Sequence, residues 1–457
     1  ELSIPFRAGM AMTGVRGELT GGAAGPTLAI LGELDSLIVS EHPHADAATG
    51  AAHACGHHCQ IGMLYGAALG LMQSGVLPEL SGRLVFMAVP AEEYIEIEYR
   101  DSLRREGKIE FLGGKPELIK LGEFDDVNLA MMLHTTSTPA EKQLCLSGTN
   151  NGTVAKKIQF IGRGAHAGGT PHLGINALNA ATLALTAIHF NRETFQDADT
   201  VRVHPIITKG GEAVSAVPAD VRMETFVRGR TIEAIMDANM KVDRALKAGA
   251  MAVGANVKIQ TIPGYMPLNQ NQAMADIFEA NSVDLVGKEN VGHVAHRTGS
   301  TDMGDVSQLM PVIHPYVGGA SGLGHGADYV IEDYKLAVIT AAKALTATAV
   351  DLLGESDGRF SSWKNDNAFR ADFQPTCFAH LPRNGLSQAD QSLWIAVMGV
   401  VEIQLTFDFF LDVRRYRKIG LAKIELHDRA GFLFHTDDVG PDLESIFSID
   451  PEASFGV

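Results

Sequence analysis

Apolar positions along the chain fall into short uninterrupted runs separated by stretches of helical character. Residues 26–34 (PTLAILGEL), entered through Gly25-Pro26, suit a strand buried on both faces. A Gly/Ala/His-rich loop ending in HACGHH follows, and the Ala, Leu and Met content of residues 61–72 then predicts a helix. Residues 83–89 (RLVFMAV) read as a second buried strand stopped by Pro90, and residues 127–133 as a third. Strands alternating with helices predict an α/β domain with a largely parallel sheet and helices on both faces.

Near Thr153 the texture changes. A strand leads into GRGAHAG, followed by an Ala/Leu-rich helix over residues 176–190, strands at 203–208 and 221–228, and a helix over 232–250. This order predicts a small α+β layer with two helices on one face of a sheet, assigned to an inserted domain at residues 152–262. The first domain, residues 1–151, resumes at 263–353 and closes with a helix over 334–353. Residues 354–457 carry no motif: a polar, aromatic-studded stretch, an apolar run and an acidic end.

With 457 residues, 46% of them apolar and 20% charged, the chain has the composition of a globular protein of two or three domains. A formal charge of -17 argues against a nucleic-acid partner. Four cysteines, Cys55, Cys59, Cys145 and Cys377, form no disulfide framework, so a reducing, cytoplasmic compartment is expected. The apolar run at residues 393–405 contains Glu402 and is shorter than the roughly 18–20 residues a membrane span needs, so no membrane partner is expected. No basic segment followed by an apolar run opens the sequence, so no targeting signal is expected from these residues.

The chemistry-bearing residues lie at the ends of the predicted strands. In Cys55-Gly56-His57, a thiolate and an imidazole suit a transition ion, and the glycine lets the backbone turn both toward one point. Glu92-Glu93 follows a buried strand and Pro90, at the carboxyl end where open α/β sheets place their sites. Adjacent carboxylates diverge, so one can bind metal while the other serves as general base. His134 closes the run NLAMMLH, and His325 lies in the Gly-rich loop GGASGLGHGADY. Each has an ordinary alternative: an unligated loop cysteine, a solvated helical turn, a structural histidine, an exposed loop histidine. Together they supply enough N, O and S ligands for two ions sharing a water. In the inserted domain, His166 among glycines can donate to a developing oxyanion. Arg228, ending the amphipathic ETFVR, can clamp a carboxylate bidentately or be a plain strand-end arginine.

In order, HACGHH, AVPAEEY, MMLHT, GRGAHAGGTPHLGINAL, GGEAVSAVPADVRMETFVRG and GSTDMGDVS resemble the metallopeptidases that include aminoacylase, bacterial glutamate carboxypeptidases, hippurate hydrolase and the plant auxin-conjugate amidohydrolases. The aminobenzoyl-glutamate hydrolase branch is the most similar, and the resemblance covers about residues 5–352. It implies a phosphorylase/hydrolase-like α/β catalytic domain interrupted by a ferredoxin-like lid that also forms a homodimer. It further implies two divalent ions, zinc or manganese, on Cys55, His57, Glu93, His134 and His325, with Cys55 bridging. Glu92 would be the general base, His166 would reach the active site of the neighbouring protomer, and Arg228 would hold the carboxylate of an N-acyl amino acid, aminobenzoyl-glutamate-like or dipeptide substrate. His58 stands where the family usually has Asp or Asn, and Ser215 stands where it usually has Asn; the resemblance further leads to the expectation that the N-terminal helical segment usual before Phe6 is missing, which would expose part of the sheet domain. The alternative is a catalytically silent metal-binding relative acting as an interaction protein.

Overall fold

The apolar runs assemble as a six-stranded sheet in a computed structural model that describes residues 2–354 and the backbone of residues 423–425 and 433–435. Its strands are β1 (Phe6–Met10), β2 (Gly14–Thr20), β3 (Ala23–Glu33), β4 (Ser81–Val89), β5 (Leu129–Met131) and the short Val312–Ile313, in the order β1-β2-β4-β3-β5-(312–313). Alternate residues of β3 and β4 serve opposite cores. Leu28, Ile30, Leu84 and Phe86 pack with helix α1 (His57–Gln73), whereas Ala29, Leu31, Val85 and Met87 pack with Leu118, Phe124, Met303 and Val306.

The sheet is mixed rather than largely parallel. β4, β3, β5 and Val312–Ile313 run parallel, but β1 and β2 add an antiparallel edge. The sequence hides this edge because β2 (GVRGELT) carries charges and little apolar alternation. Arg16 within it is nonetheless buried, its guanidinium donating to both Asp126 oxygens at 2.8 and 2.7 Å and to the Glu123 carbonyl at 2.7 Å.

From residue 152 a separate antiparallel sheet forms from β6 (Gly152–Ile161), β7 (Arg202–Val203), β8 (Ile206–Lys209), β9 (Asp220–Gly229) and β10 (Asn256–Pro263). Its order is β7-β9-β6-β10, with β8 also pairing with β9. Helix α2 (Ala177–Phe190) starts where the Asn176 side chain accepts from Leu178 N and Asn179 N, and α3 (Ile232–Ala252) where Thr231 accepts from Ala234 N. The single strand expected over 203–208 is split at His204-Pro205, where proline has no N–H to offer a ladder.

The chain then returns to the first sheet with α4 (Gln272–Val286) and α5 (Ala341–Leu353), the latter preceded by a π-helical turn, Lys335–Thr340. Gly62, Gly66 and Gly70 of α1 face Val338, Ala342 and Thr346, so close that a Cβ on Gly66 would lie 2.8 Å from the Ala342 Cβ. Lys335–Leu353, 19 residues containing an 18-residue window of mean hydropathy 1.6, is long and apolar enough to cross a membrane. Its apolarity is accounted for by burial of Ala337, Ala341, Leu345, Ala349 and Leu352 in the core shared with α1. A second unit is Pro375–Val457, in which Lys423–Glu425 pairs antiparallel with Leu433–His435. Cys377 and the apolar run at 393–405 lie outside the described residues.

Asp101, in the helix Ile97–Arg105, joins the first sheet's surroundings to β6. It is 1% exposed and accepts from Lys157 Nζ at 2.6 Å and Arg104 Nη2 at 2.7 Å. Burial pushes its carboxyl upward, but the two cations outweigh burial and hold it below the usual range. A depressed carboxylate stabilises the fold above its unfolded pKa of about 3.9, and that contribution is lost as pH falls through the lower folded value. Asp101→Asn is therefore expected to lower unfolding free energy by about 2 kcal/mol at neutral pH. In urea titrations the difference from the unsubstituted protein should shrink below about pH 4.

Candidate metal centre

Five chain segments deliver side chains to one place beyond the carboxyl ends of β3 and β4. β3 ends on Glu33 and continues to Asp35. β4 ends at Val89, and after Pro90 the backbone turns through positive φ at Ala91 (63°) and Tyr94 (54°), which directs Glu92 and Glu93 into the site. His57 opens α1 directly after Gly56, whose φ is 89°. A Cβ there would lie 2.0 Å from Thr135 Oγ1, so this turn accepts only glycine. His134 starts the strand His134–Thr135, which pairs in parallel with Tyr316–Val317. His325, at φ 66°, is anchored by its backbone N–H donating to the Ala54 carbonyl at 2.9 Å.

The two buried imidazoles have their tautomers set by backbone. His57 Nδ1 lies 3.0 Å from the Asp35 carbonyl and His134 Nδ1 2.7 Å from the Thr135 carbonyl. A carbonyl only accepts, so Nδ1 carries a proton in each ring and Nε2 faces the site; burial lowers the His57 pKa, but Glu33 and Asp35 outweigh it and raise it well above the usual value, so a metal ion at His57 Nε2 would displace a second proton. His134 Nε2 is 3.4 Å from Cys55 Sγ, and His57 Nε2 is 3.9 Å from Glu93 Oε1 and 4.0 Å from Glu92 Oε2. His325 Nε2 is 3.5 Å from Glu93 Oε1. Cys55, His57 and His134 converge with ligand atoms within 4.8 Å of one another, and so do Cys55, Glu93 and His325.

This donor set fits metal ions. His57 Nε2 and Glu93 Oε1 are buried without a hydrogen-bond partner, a costly state for polar atoms unless a cation engages them. Each buried imidazole donates its other N–H to a carbonyl, as metal-ligating histidines do. Burial pushes the Cys55 thiol well up against the smaller opposing effect of His57, so a thiolate here requires added positive charge. Burial, reinforced by the nearby His57, lowers His134 to about 4, which keeps it neutral and able to ligate. The Glu92 carboxyl is raised well above the usual range by burial and by the charges of Glu33, Glu93 and Asp302. Such a shift suits a group that exchanges protons near neutral pH.

Five predicted ligands and Glu92 are thus brought together. Arg228, in β9, faces the same region: burial lowers its pKa, while the charges of Glu92 and Glu93 act in the opposite direction. Its guanidinium carbon lies 5.4 Å from the Phe226 ring centre, and its Nε has no hydrogen-bond partner. His166 is not brought in. It is exposed, its Nδ1 accepting from Gly168 and Gly169 N–H groups at 3.2 and 2.9 Å. Reading the sequence missed Glu33, Asp35, Lys115 and Asp302. Asp35 accepts from Glu93 N at 2.8 Å, coupling the His57 and Glu93 loops. The available signal was GELD: two acids, two positions apart, at the carboxyl end of an apolar strand.

A parallel-strand core with a thiol, imidazole and carboxylate cluster at its carboxyl end defines a hydrolase of the metallopeptidase class. The chain belongs to peptidase family M20/M25/M40, whose model matches residues 29–351. It is 29% identical over 320 residues to the Xaa-Arg dipeptidase of Mus musculus, covering 67% of this chain and 68% of the relative. To a p-aminobenzoyl-glutamate hydrolase component of Escherichia coli it is 25% identical over 323 residues, 68% of each chain. A Bacillus subtilis structure described as a dinuclear metal-binding peptidase shares the fold, with TM-score 0.55 and 19% identity over 77% of this chain and 88% of that one.

Gly56→Ala is expected to cost at least about 2 kcal/mol, from forced positive φ and the collision with Thr135. Thermal unfolding reads the cost. A variant as stable as the unsubstituted chain would mean that this turn can be rebuilt.

Proposed function

We propose that the protein hydrolyses the amide bond of a small substrate with a free carboxylate: an N-acyl amino acid, an aminobenzoyl-glutamate-like conjugate or a dipeptide. The observation that carries this reading is the convergence of Cys55, His57, Glu93, His134 and His325 beside the buried Glu92. Relatives named as a dipeptidase and as an aminobenzoyl-glutamate hydrolase support the substrate class.

Cys55, His57, Glu93, His134 and His325 would hold two divalent ions, zinc or manganese, Cys55 belonging to both groups of converging ligand atoms. When bound, these ions would polarise the scissile carbonyl and acidify a water. Glu92 takes the proton of the attacking water and returns it to the leaving amine, a task suited to a carboxyl raised by burial. Arg228 holds the substrate carboxylate through its guanidinium, anchored over Phe226. In this reading residues 152–262 form a ferredoxin-like lid that pairs two chains as a homodimer, and His166 completes the oxyanion site of the neighbouring protomer. The expected compartment is the cytoplasm, from cysteine usage.

Glu92→Gln should lower kcat by at least about 100-fold while metal content per chain is unchanged. Undiminished turnover of an acyl-amino-acid and dipeptide panel by this variant would overturn the role. Arg228→Met should reduce kcat/KM for carboxylate-bearing substrates by about 10- to 100-fold, mainly through KM. Substrates lacking the carboxylate should be far less affected, and an equal loss for both would remove Arg228 from carboxylate recognition.

A further inference from the structure

Beneath the ligand cluster lies a group of buried charges that the proposed reaction does not use. Glu33, the last residue of β3, is 1% exposed, and Lys115 and Asp302 are fully buried. Lys115 Nζ lies 2.5 Å from Glu33 Oε1 and also pairs with Asp302, while the Lys115 backbone N–H donates to Asp302 Oδ2 at 2.9 Å. The Glu33 backbone N–H donates to Gln60 Oε1 at 2.8 Å.

One atom of this group is left over. Glu33 Oε2 is buried without a hydrogen-bond partner, 3.1 Å from His57 Nε2, which likewise has none. With one His57 proton on Nδ1, facing the Asp35 carbonyl, Nε2 is the ring atom directed toward the same space as the carboxylate oxygen, and neither atom makes a hydrogen bond there. A carboxylate oxygen and an imidazole nitrogen this close draw positive charge between or beside them: a proton on Nε2 in the metal-free chain, or a metal ion that displaces it. Ligand atoms of Glu33, His57 and Glu92 also lie within 4.8 Å of one another. Lys115 cannot be that cation, because its ammonium engages the other oxygen, Oε1.

We propose that Glu33 is an additional carboxylate ligand of the metal centre, presenting Oε2 beside His57 Nε2, and that Lys115 is the positioning residue that locks it there. Lys115 takes up Oε1, fixes the carboxylate rotamer, and is itself fixed by Asp302. The cluster thereby gains an anionic oxygen that partly balances the charge of two divalent ions. This inference rests on the metal-centre reading above.

Glu33→Gln is the discriminating change. Its amide oxygen can still accept from Lys115, and its NH2 can donate to His57 Nε2, which satisfies the fold while closing off the ligand position. Zinc binding to the full chain would be measured by competition with a chromophoric chelator, and thermal unfolding with metal stripped. The expected result is a metal-stripped unfolding temperature equal to or above that of the unsubstituted chain, with the affinity for at least one zinc ion reduced about 10- to 100-fold. Affinities unchanged within about threefold for both ions would overturn the inference and leave the metal centre standing. Failure of the unsubstituted chain to bind zinc or manganese would overturn the metal-centre reading itself. Should Glu33→Gln not fold, Glu33→Asp keeps the charge and withdraws it by one methylene; unchanged zinc affinity in that variant would overturn the inference, and a loss of about tenfold would support it.

Discussion

Negative charge gathered where water is excluded is the constraint on which the rest of this structure depends. Glu33, Glu92 and Asp302 are buried within a few ångströms of the ends of β3 and β4, with Asp35 and Glu93 beside them. Buried carboxylates without compensation are strongly destabilising. Lys115 offsets part of this charge, and burial raises the Glu92 carboxyl. The balance falls to whatever cations the cysteine and histidine lone pairs help to hold. The same charge that burdens the fold therefore creates a place for divalent ions.

Precision in that place comes from backbone rather than from side-chain contacts alone. Two carbonyls set the histidine tautomers, Gly56 allows α1 to begin against Thr135, and positive φ at Ala91, Tyr94 and His325 aims the loops. Strained conformations of this kind persist only where surrounding packing over-determines them. Here that packing is the two-faced core of β3 and β4, with α1 close against α5 through its glycine row. Arg228 arrives from the other sheet, and the Asp101–Lys157 contact helps to keep the two parts of the site in register.

Much of this was legible in one dimension. Continuous apolar runs announced β3 and β4 because strands buried on both faces need no polar alternation. Pro90 marked where β4 stops, and CGH and EE marked which strand ends carry chemistry. What escaped notice were buried charges. Arginine and lysine are seldom buried, so nothing local marks Arg16 and Lys115 as buried residues, and the partners that make their burial tolerable are 107 residues away in Arg16–Glu123 and 187 in Lys115–Asp302. β1 and β2, with charges among their positions, form no apolar run, and Glu33 lay within the expected strand at 26–34 without a feature of its own to single it out.

The sequence by itself determined the element types, the order of the ligand-bearing loops and the family, because these follow from local periodicity and ordered motifs. Only the tertiary structure decided which atoms of those loops face one another. It set the two Nε2 atoms toward the site, left Glu33 Oε2 without a hydrogen-bond partner beside His57, brought Arg228 within reach of the charges of the two glutamates, and kept His166 on the surface. Those outcomes depend on distances between segments far apart in the chain. Burial and pairing across such separations are set by packing, which no local pattern encodes.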